Sequence, residues 1–234
     1  MRIAILGDIH ANQEALEAVL ADAEREGCGG YACIGDIVGY GPSPRECIER
    51  IRSLDCPTVK GDFDESASDD SSLDGLNPVA KHATSWTRDQ LSDADKKWLR
   101  ELDLVLKCRG FTIVHSSLDS PSHWYYVVSK FDAMSSFSYQ AAHLCFFGHT
   151  HIPKFYLKND SVVIESGDRI DLKEHTQYLI NVGSVGQPRD GDPRACYAIY
   201  DVDNAVVRIK RVDYDIGLTQ RKIMNSGLLP RIRS

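Results

Sequence analysis

The sequence predicts a mixed α/β fold, a four-layer αββα sandwich in which two mixed sheets face each other and helices cover both outer faces. Two features of the 234-residue chain support this prediction. Its first half alternates short apolar strand segments with amphipathic helical segments, a pattern that gives parallel strands joined by right-handed crossovers. Its second half consists mostly of successive strand segments, which form hairpins. No repeat or linker divides the chain, so we expect one domain over residues 1–234.

The first part of the chain repeats a plan of strand, polar loop and helix. The segments 3–6, 31–34 and 58–60 are short and β-rich, and a Gly-Asp pair follows each of them. Apolar residues at helical spacing follow the first strand up to the stop signal Gly27, and a second helix is expected at about 43–52, beside prolines that favour a helix start. These units predict parallel strands whose polar loops meet at one edge of a sheet.

A helical excursion is expected to interrupt this plan at about 64–107. Residues 64–77 are acidic and serine-rich, which is typical of a surface excursion or lid. Residues 78–90 and 92–102 have the apolar spacing of two antiparallel helices, and Ser92 is placed to cap the second of them.

The rest of the chain is predicted to be rich in strands. Strands at 111–114 and 144–147 flank a helix at about 131–142. Later strands are expected at 154–157, 161–164, 178–182, 195–201 and 205–212, followed by a short helix at 218–224. These hairpins would complete the two facing sheets.

Composition narrows the classes of partner. The formal net charge of −7 argues against a stable complex with nucleic acid or an anionic membrane, because both favour a basic surface. The seven cysteines are scattered and form no CxxC pair, so we expect reduced packing residues. The sequence shows no targeting signal and no apolar run of membrane-spanning length. We therefore expect a soluble, cytoplasmic protein, and its oligomeric state stays open.

Seven residues of metal-ligating type stand next to the predicted strand ends. Alternate residues of an extended segment point the same way. The aspartate and histidine of GDIH can therefore both face one site, and so can the two histidines of GHTH. Each residue alone has an ordinary interpretation, such as a helix cap or a turn. Burying all of them together would be costly without cations, which predicts a metal centre. The residues are Asp8, His10, Asp36, Asp62, His115, His149 and His151.

The segments that carry these residues resemble the calcineurin-like metallophosphoesterases, especially the small bacterial and archaeal phosphatases and phosphodiesterases. The matching motifs occur in order from Arg2 to about Asp201: GDIH, GDIVGYGPSP, GDFD, VHSS, GHTHIP and NVGSVGQPRDGDPRA. The resemblance implies the four-layer fold and two divalent ions. It assigns the ligand residues to two ions bridged by one carboxylate: Asp8, His10 and His151 on the first, Asp62, His115 and His149 on the second, and Asp36 between them.

The resemblance further implies a dinuclear metal-dependent phosphoesterase. Asp36, Asp62 and His115 would stand at the catalytic centre, where a hydroxide that bridges the ions attacks the phosphorus of a phosphomonoester or phosphodiester. Mixed carboxylate and imidazole ligands suit manganese in this interpretation, with iron, zinc, nickel or cobalt as alternatives. The expected substrate is a small phosphate ester, a class that includes nucleotides.

Residues outside the ligand set are candidates for substrate contacts. Arginines can bind phosphate, although a surface ion pair is an equally good interpretation of both arginines below. For the tyrosine, packing at the rim of a loop is the ordinary alternative. The candidates are Tyr40, His82, Arg189 and Arg194, with the aromatic run Trp124, Tyr125 and Tyr126 as a further lining of the cleft.

The segment 61–64, with the sequence GDFD, departs from most catalytic relatives, which carry GNH[DE] there. Asp62 in place of asparagine adds a negative charge and so lowers the net charge of the metal centre by one. This change should disfavour a monoester dianion more than a diester monoanion. Phe63 replaces a histidine thought to protonate the leaving group, so good leaving groups should be favoured. A solvated Asp64 would be a poor substitute acid and is expected to cap the following turn.

The same GDFD variant resembles a retromer subunit that has this fold and works mainly as a protein-binding scaffold. A catalytically weak or inactive scaffold is therefore the alternative function. The complete ligand set favours an enzyme, because a scaffold could lose His10, His115 or His149 without consequence.

Overall fold

Two mixed β-sheets form the centre of the protein in the computed structural model, which describes residues 1–70 and 72–228. The strands are β1 (Arg2–Leu6), β2 (Gly30–Cys33), β3 (Val105–Cys108), β4 (Phe111–Val114), β5 (Leu144–Phe147), β6 (Lys154–Lys158), β7 (Val162–Glu165), β8 (Arg169–Asp171), β9 (Gln177–Asn181), β10 (Ala195–Asp201) and β11 (Val206–Val212). The helices are α1 (Gln13–Arg25), α2 (Pro44–Ser53), α3 (Asp62–Ser68), α4 (Pro78–Gln90), α5 (Asp93–Glu101), α6 (Lys130–Tyr139) and α7 (Ile216–Ser226).

The strand order confirms the predicted mixed sheets. The first sheet has the order β2-β1-β10-β11-β8, in which β1 and β2 pair in parallel and the other pairs are antiparallel. The second sheet has the order β3-β4-β5-β9-β6-β7, in which β4, β5 and β9 are parallel and the outer pairs antiparallel. Both sheets therefore contain loops that follow the carboxyl ends of parallel strands, which is where α/β folds bind ligands.

Apolar clusters hold the layers of this αββα arrangement together. Ile5 of β1 and Phe146 of β5 belong to the cluster between the two sheets. Their neighbours Leu6 and Phe147 point the other way, as the two-residue period of a strand requires. Leu6 packs with α1 and α2 on the outside of the first sheet, and Phe147 packs with Phe137 of α6 on the outside of the second.

Local sequence signals fix where several helices begin. Asn12 Oδ1 accepts the N–H of Ala15 at 3.1 Å and starts α1. Ser92 Oγ accepts the N–H of Asp95 at 3.2 Å and starts α5, as the sequence predicts. Such caps satisfy N–H groups that the helix itself leaves free. None of the helices in residues 1–70 and 72–228 is both long and apolar enough to cross a membrane.

The predicted strand at 58–60 is wrong. Thr58 and Val59 each form only a single bridge to a neighbouring segment. The chain enters α3 directly at Asp62, after Gly61, so a longer ladder has no room to form. The third Gly-Asp pair therefore follows a short bridging segment instead of a regular strand.

The sequence pattern also fails to predict α3, β3 and β8. A surface excursion from residue 64 onward is the expectation, but Asp64, Ala67 and Ser68 of α3 are buried. β3 begins at Val105, near the end of the stretch 64–107 for which a helical excursion is the expectation. Both β3 and β8 are edge strands with many partly exposed residues, so neither shows the apolar run by which buried strands are recognised.

Candidate metal centre

The loops at strand ends bring the seven predicted ligand residues together. The loops after β1, β2, β4 and β5 supply six of them, and the first residue of α3 supplies the seventh. They form two groups, within each of which the ligand atoms lie within 4.8 Å of one another: Asp8, His10, Asp36 and His151 in the first ligand group, and Asp62, His115 and His149 in the second.

Asp36 faces both ligand groups. Its Oδ2 lies 3.4 Å from His10 Nε2 in the first group and 3.5 Å from His115 Nε2 in the second. Its Oδ1 accepts the N–H of Phe63 at 2.9 Å, which fixes the plane of the buried carboxylate. This position between the groups is the one required of a carboxylate shared by two cations.

Backbone carbonyl groups orient three of the histidine rings. Each ring places Nδ1 against a carbonyl oxygen and thereby turns Nε2 into the site, the arrangement typical of metal-ligating histidines. Every residue has a carbonyl group, so no residue type in the sequence could predict these contacts. The pairs are His10 with Val38 (3.2 Å), His115 with Ile34 (2.8 Å) and His151 with Gln187 (2.5 Å).

The first ligand group contains acceptors that face each other. The Nε2 atoms of His10 and His151 lie 3.0 Å apart, and Asp8 Oδ1 lies 3.3 Å from His151 Nε2. Burial lowers the pKa of both rings, so both are neutral, and with the protons on Nδ1 neither Nε2 has a proton to donate. Lone pairs that converge without a donor are what a divalent cation satisfies, so these residues fit a bound ion.

The second ligand group is polarised by its carboxylate. Asp62 Oδ1 lies 3.0 Å from His149 Nδ1 and 3.2 Å from His115 Nε2. Burial alone would raise the pKa of Asp62, but hydrogen bonds from these two histidines hold it well below its ordinary value. Burial, and then the charge of Asp62, raise the pKa of Asp36 well above its ordinary range. The carboxylates therefore repel one another, and cations between them would remove that repulsion.

The backbone at the site is left-handed at five of the ligand residues, a conformation that non-glycine residues seldom adopt. Each such residue costs on the order of 1–3 kcal/mol and persists only where the surroundings fix it. Asn181 Nδ2 donates to the carbonyl oxygen of Gly148, and Ser184 Oγ donates to that of Asp8, both at 2.7 Å. Asn181 at the end of β9 and Ser184 in the glycine-rich segment after it thus hold two ligand loops in place. The φ angles are 50° at Asp8, 47° at His10, 51° at Asp36, 65° at His149 and 61° at His151.

Gly61 leaves room for the carboxylate of Asp36. A Cβ atom at this position would lie 2.1 Å from Asp36 Oδ1, so Gly61→Ala must displace Asp36. We expect this variant to bind manganese about 10- to 100-fold more weakly, measured as the metal concentration that raises the melting temperature. Gly75→Ala is the matched control, because no atom lies within 4 Å of a Cβ there. Equal manganese affinity in the two variants would contradict this packing argument.

Asp64 accepts backbone N–H groups around the turn that carries Asp62, and the expectation that it caps the following turn is wrong. Its Oδ1 accepts the N–H groups of Ile37 and Val38 at 2.9 and 3.1 Å, and its Oδ2 accepts that of Gly61 at 3.1 Å. The expectation of a solvated side chain is wrong, because Asp64 is fully buried and burial raises its pKa to about 6. Both oxygens are engaged by the backbone, so Asp64 does not face a substrate.

Phe63 occupies the border of the first ligand group. Its ring centroid lies 5.3 Å from that of His10 and 4.4 Å from that of Tyr40. The Phe63 side chain is 8% exposed and carries no proton that a leaving group could take. Tyr40 also packs against His10, with the ring centroids 5.0 Å apart. The packing interpretation therefore holds, and contact of Tyr40 with a substrate stays a prediction.

Aromatic side chains cover the second ligand group. Tyr126 stacks on His149 with the ring centroids 4.2 Å apart, and Trp124 meets His115 edge-on at 5.9 Å. Trp124 Nε1 donates to Glu65 Oε2 at 3.1 Å, which ties this loop to α3. Tyr125 instead packs on His123 and is 55% exposed. Two of the three aromatic candidates therefore lie beside ligand residues.

The remaining candidates for substrate contact are spread over the surface. Arg189 lies over the Tyr40 ring at 5.9 Å, next to the first ligand group. Arg194 forms an ion pair with Asp192 of its own loop, which agrees with the alternative interpretation of this arginine as part of a surface ion pair. His82 belongs to α4 and lies against the C-terminal end of α7, with Nε2 3.4 Å from the carbonyl oxygen of Gly227. Substrate binding by these side chains stays a prediction, and the placement favours Arg189 over the other two.

A four-layer αββα fold with carboxylate and imidazole ligands at strand ends is the architecture of a metallophosphoesterase. The calcineurin-like phosphoesterase superfamily domain matches residues 1–205. The chain belongs to this superfamily.

Similar proteins agree with this assignment. The chain is 38% identical over 230 residues to an uncharacterized protein of Methanocaldococcus jannaschii. The aligned region covers 97% of this chain and 93% of that protein. It is 40% identical to a crystal structure of a metallophosphoesterase from Sphaerobacter thermophilus, with a TM-score of 0.86 and coverage of 98% and 95%. A hypothetical protein from Pyrococcus horikoshii shares the fold, with 20% identity, a TM-score of 0.78 and coverage of 98% and 94%.

Proposed function

We propose that this protein is a dinuclear metal-dependent phosphoesterase that hydrolyses small phosphate esters, nucleotides included. The observation that carries the proposal is the convergence of two ligand groups around one shared carboxylate, Asp36. Superfamily membership supports the same reaction class. A lone metal site would not need a buried carboxylate that faces histidines of both groups.

The residues of each ligand group would hold one divalent ion, with Asp36 between them. Manganese suits these carboxylate and imidazole ligands, and iron, zinc, nickel and cobalt are the alternatives. When bound, such ions supply a water of lowered pKa and electrostatic stabilisation of the phosphoryl oxygens. The protein contributes the orientation, because carbonyl groups fix the rings of His10, His115 and His151 before a substrate arrives.

The charge and the apolar border of the site favour phosphodiesters and good leaving groups. Asp62 adds a negative charge that repels a monoester dianion more than a diester monoanion. Phe63 lies where a proton donor would assist departure of the leaving group, and Asp64 is engaged by the backbone. A leaving group must then depart as an anion with little proton assistance.

Turnover in the presence of different metals tests the proposal. The protein is stripped of metal, reloaded with manganese, nickel, cobalt, zinc or magnesium, and assayed on para-nitrophenyl phosphate and bis(para-nitrophenyl) phosphate. We expect metal-dependent hydrolysis, with the diester preferred. Tight metal binding without turnover on a broad panel of esters would instead support the alternative, a protein-binding scaffold that keeps the GDFD segment.

Dependence on the leaving group gives a second test. Across a series of methyl aryl and methyl alkyl phosphates, we expect kcat/KM to fall about 100-fold or more from para-nitrophenolate to an alkoxide, because Phe63 has no proton to donate and Asp64 is engaged by the backbone. The measurement is a plot of log kcat/KM against leaving-group pKa. A flat plot, with chemistry shown to be rate-limiting, would contradict the missing-acid argument.

A further inference from the structure

A pocket of about 200 Å³ opens beside the first ligand group. Its lining includes His10, which belongs to the first ligand group, and Tyr40, whose ring packs against His10. Tyr214, Ile216 and Ile223, from α7 and the segment just before it, form its outer wall. A substrate whose phosphorus lies at the ligand groups can therefore extend into this pocket.

The lining of the pocket is uncharged and partly apolar. Apart from the ligand residue His10, the described residues that line it carry no carboxylate, ammonium or guanidinium group. The isoleucine side chains and the tyrosine rings offer apolar contact, and Gln220 offers an amide at the rim. Such a lining disfavours a charged group and suits an uncharged one of about the size of an aromatic ring.

The outer wall is fastened to the body of the protein. Thr219 Oγ1 lies 3.2 Å from Asn12 Oδ1 and 3.1 Å from Glu14 Oε2, and its single proton can be donated to either, which joins α7 to the start of α1. Lys222 forms an ion pair with Glu14, and Trp86 Nε1 of α4 donates to the carbonyl oxygen of Ser226 at 3.1 Å. The pocket is therefore built into the fold, and its wall lies beyond residues 1–205, which the superfamily domain matches.

We propose that this pocket binds the uncharged organic group of the phosphate ester and so selects organic esters over substrates in which a second charged group adjoins the reacting phosphate. The inference rests on the proposed function, because the phosphate must lie at the ligand groups for its ester group to reach Tyr40 and Ile223. It assigns substrate selection to α7, which supplies none of the seven ligand residues.

Non-hydrolysable phosphonates test the pocket without turnover. Methylphosphonate and benzylphosphonate share the anionic head group, and only the second carries a ring that can enter the pocket. By calorimetry on the manganese-loaded protein, we expect benzylphosphonate to bind about tenfold more tightly, because its ring leaves water for an apolar wall. Ile223→Trp fills the pocket and should remove this advantage while the affinity for methylphosphonate stays unchanged.

Controls separate the pocket from the fold and from catalysis. Met224→Trp makes a matched change on the next residue of α7, which is 66% exposed and does not line the pocket, and should keep the benzyl preference. If Ile223→Trp does not fold, Ile216→Trp narrows the same pocket from the first turn of α7.

Each outcome has one meaning. Equal affinity of the wild-type protein for the two phosphonates overturns the inference. An equal loss of affinity for both phosphonates in Ile223→Trp also overturns it. Absence of hydrolysis of bis(para-nitrophenyl) phosphate by the same wild-type preparation contradicts the proposed function, whatever the phosphonate affinities are.

Discussion

Asp36→Asn should reduce kcat/KM for bis(para-nitrophenyl) phosphate by at least about 1,000-fold, since metal-ion catalysis contributes several kcal/mol and each 1.36 kcal/mol is a factor of ten. Asp36 Oδ2 is the carboxylate oxygen that lies close to histidines of both ligand groups. An amide has the same shape but no negative charge to share between two cations. The manganese-induced rise in melting temperature should therefore shrink together with activity.

The metal-free stability of the same variant shows whether the loss comes from unfolding. Burial raises the pKa of Asp36 well above its ordinary value, so the carboxylate is an unfavourable group in the metal-free protein. We expect metal-free Asp36→Asn to melt at the same temperature as the wild type or higher. Asp160→Asn, on an exposed loop, is the control and should change neither property. Full activity of Asp36→Asn would contradict the shared-carboxylate assignment.

Phe63→His should raise kcat/KM on alkyl phosphodiesters by about 100-fold, the lower range of general-acid assistance. The new imidazole would stand beside His10 and Tyr40, where the Phe63 ring now lies 5.3 and 4.4 Å from theirs. Histidine is smaller than phenylalanine, so the change fits the existing space. Esters of para-nitrophenol should gain little, because their leaving group departs without a proton.

Phe63→Leu separates proton donation from a change in packing. This variant also shortens the side chain but has no proton to give, and it should leave alkyl esters as poor substrates. A rise of similar size in both variants would show that space, and not the missing acid, limits the wild-type protein. The measurement is the ratio of kcat/KM for methyl alkyl and methyl aryl phosphates in each variant.

The positions of six of the seven candidate ligand residues follow from strand ends, whereas Asp62 begins α3 after a short bridging segment. Gly-Asp pairs and histidines directly after apolar β-rich segments mark the carboxyl ends of parallel strands, where α/β folds place their ligands. The extended backbone assumed for Asp8 with His10 and for His149 with His151 is wrong, because all four residues have left-handed φ angles, and His149 and His151 lie in different ligand groups. The structure brings all of these residues into two adjacent groups. Most helices and strands follow from the same apolar periodicity.

Other features depend on tertiary contacts that leave no local signal. An acidic, serine-rich stretch looks exposed, yet Asp64 is buried in α3 because backbone N–H groups converge on it. Arg189 and Arg194 are equivalent in the sequence, but only Arg189 lies over Tyr40, since Asp192 holds the other. The pocket beside α7 joins residues about 200 positions apart, such as His10 and Ile223, so periodicity cannot reveal it.

Five ligand residues have left-handed φ angles, and hydrogen bonds of the chain itself support two of their loops, at the carbonyl oxygens of Gly148 and Asp8. Loops held by the chain's own hydrogen bonds should accept one divalent cation in place of another without refolding. Metal identity after purification should then follow the supply in the host cell and the Irving–Williams series more than any preference of the cavity. Activity of a given preparation would accordingly report its growth medium as much as its sequence.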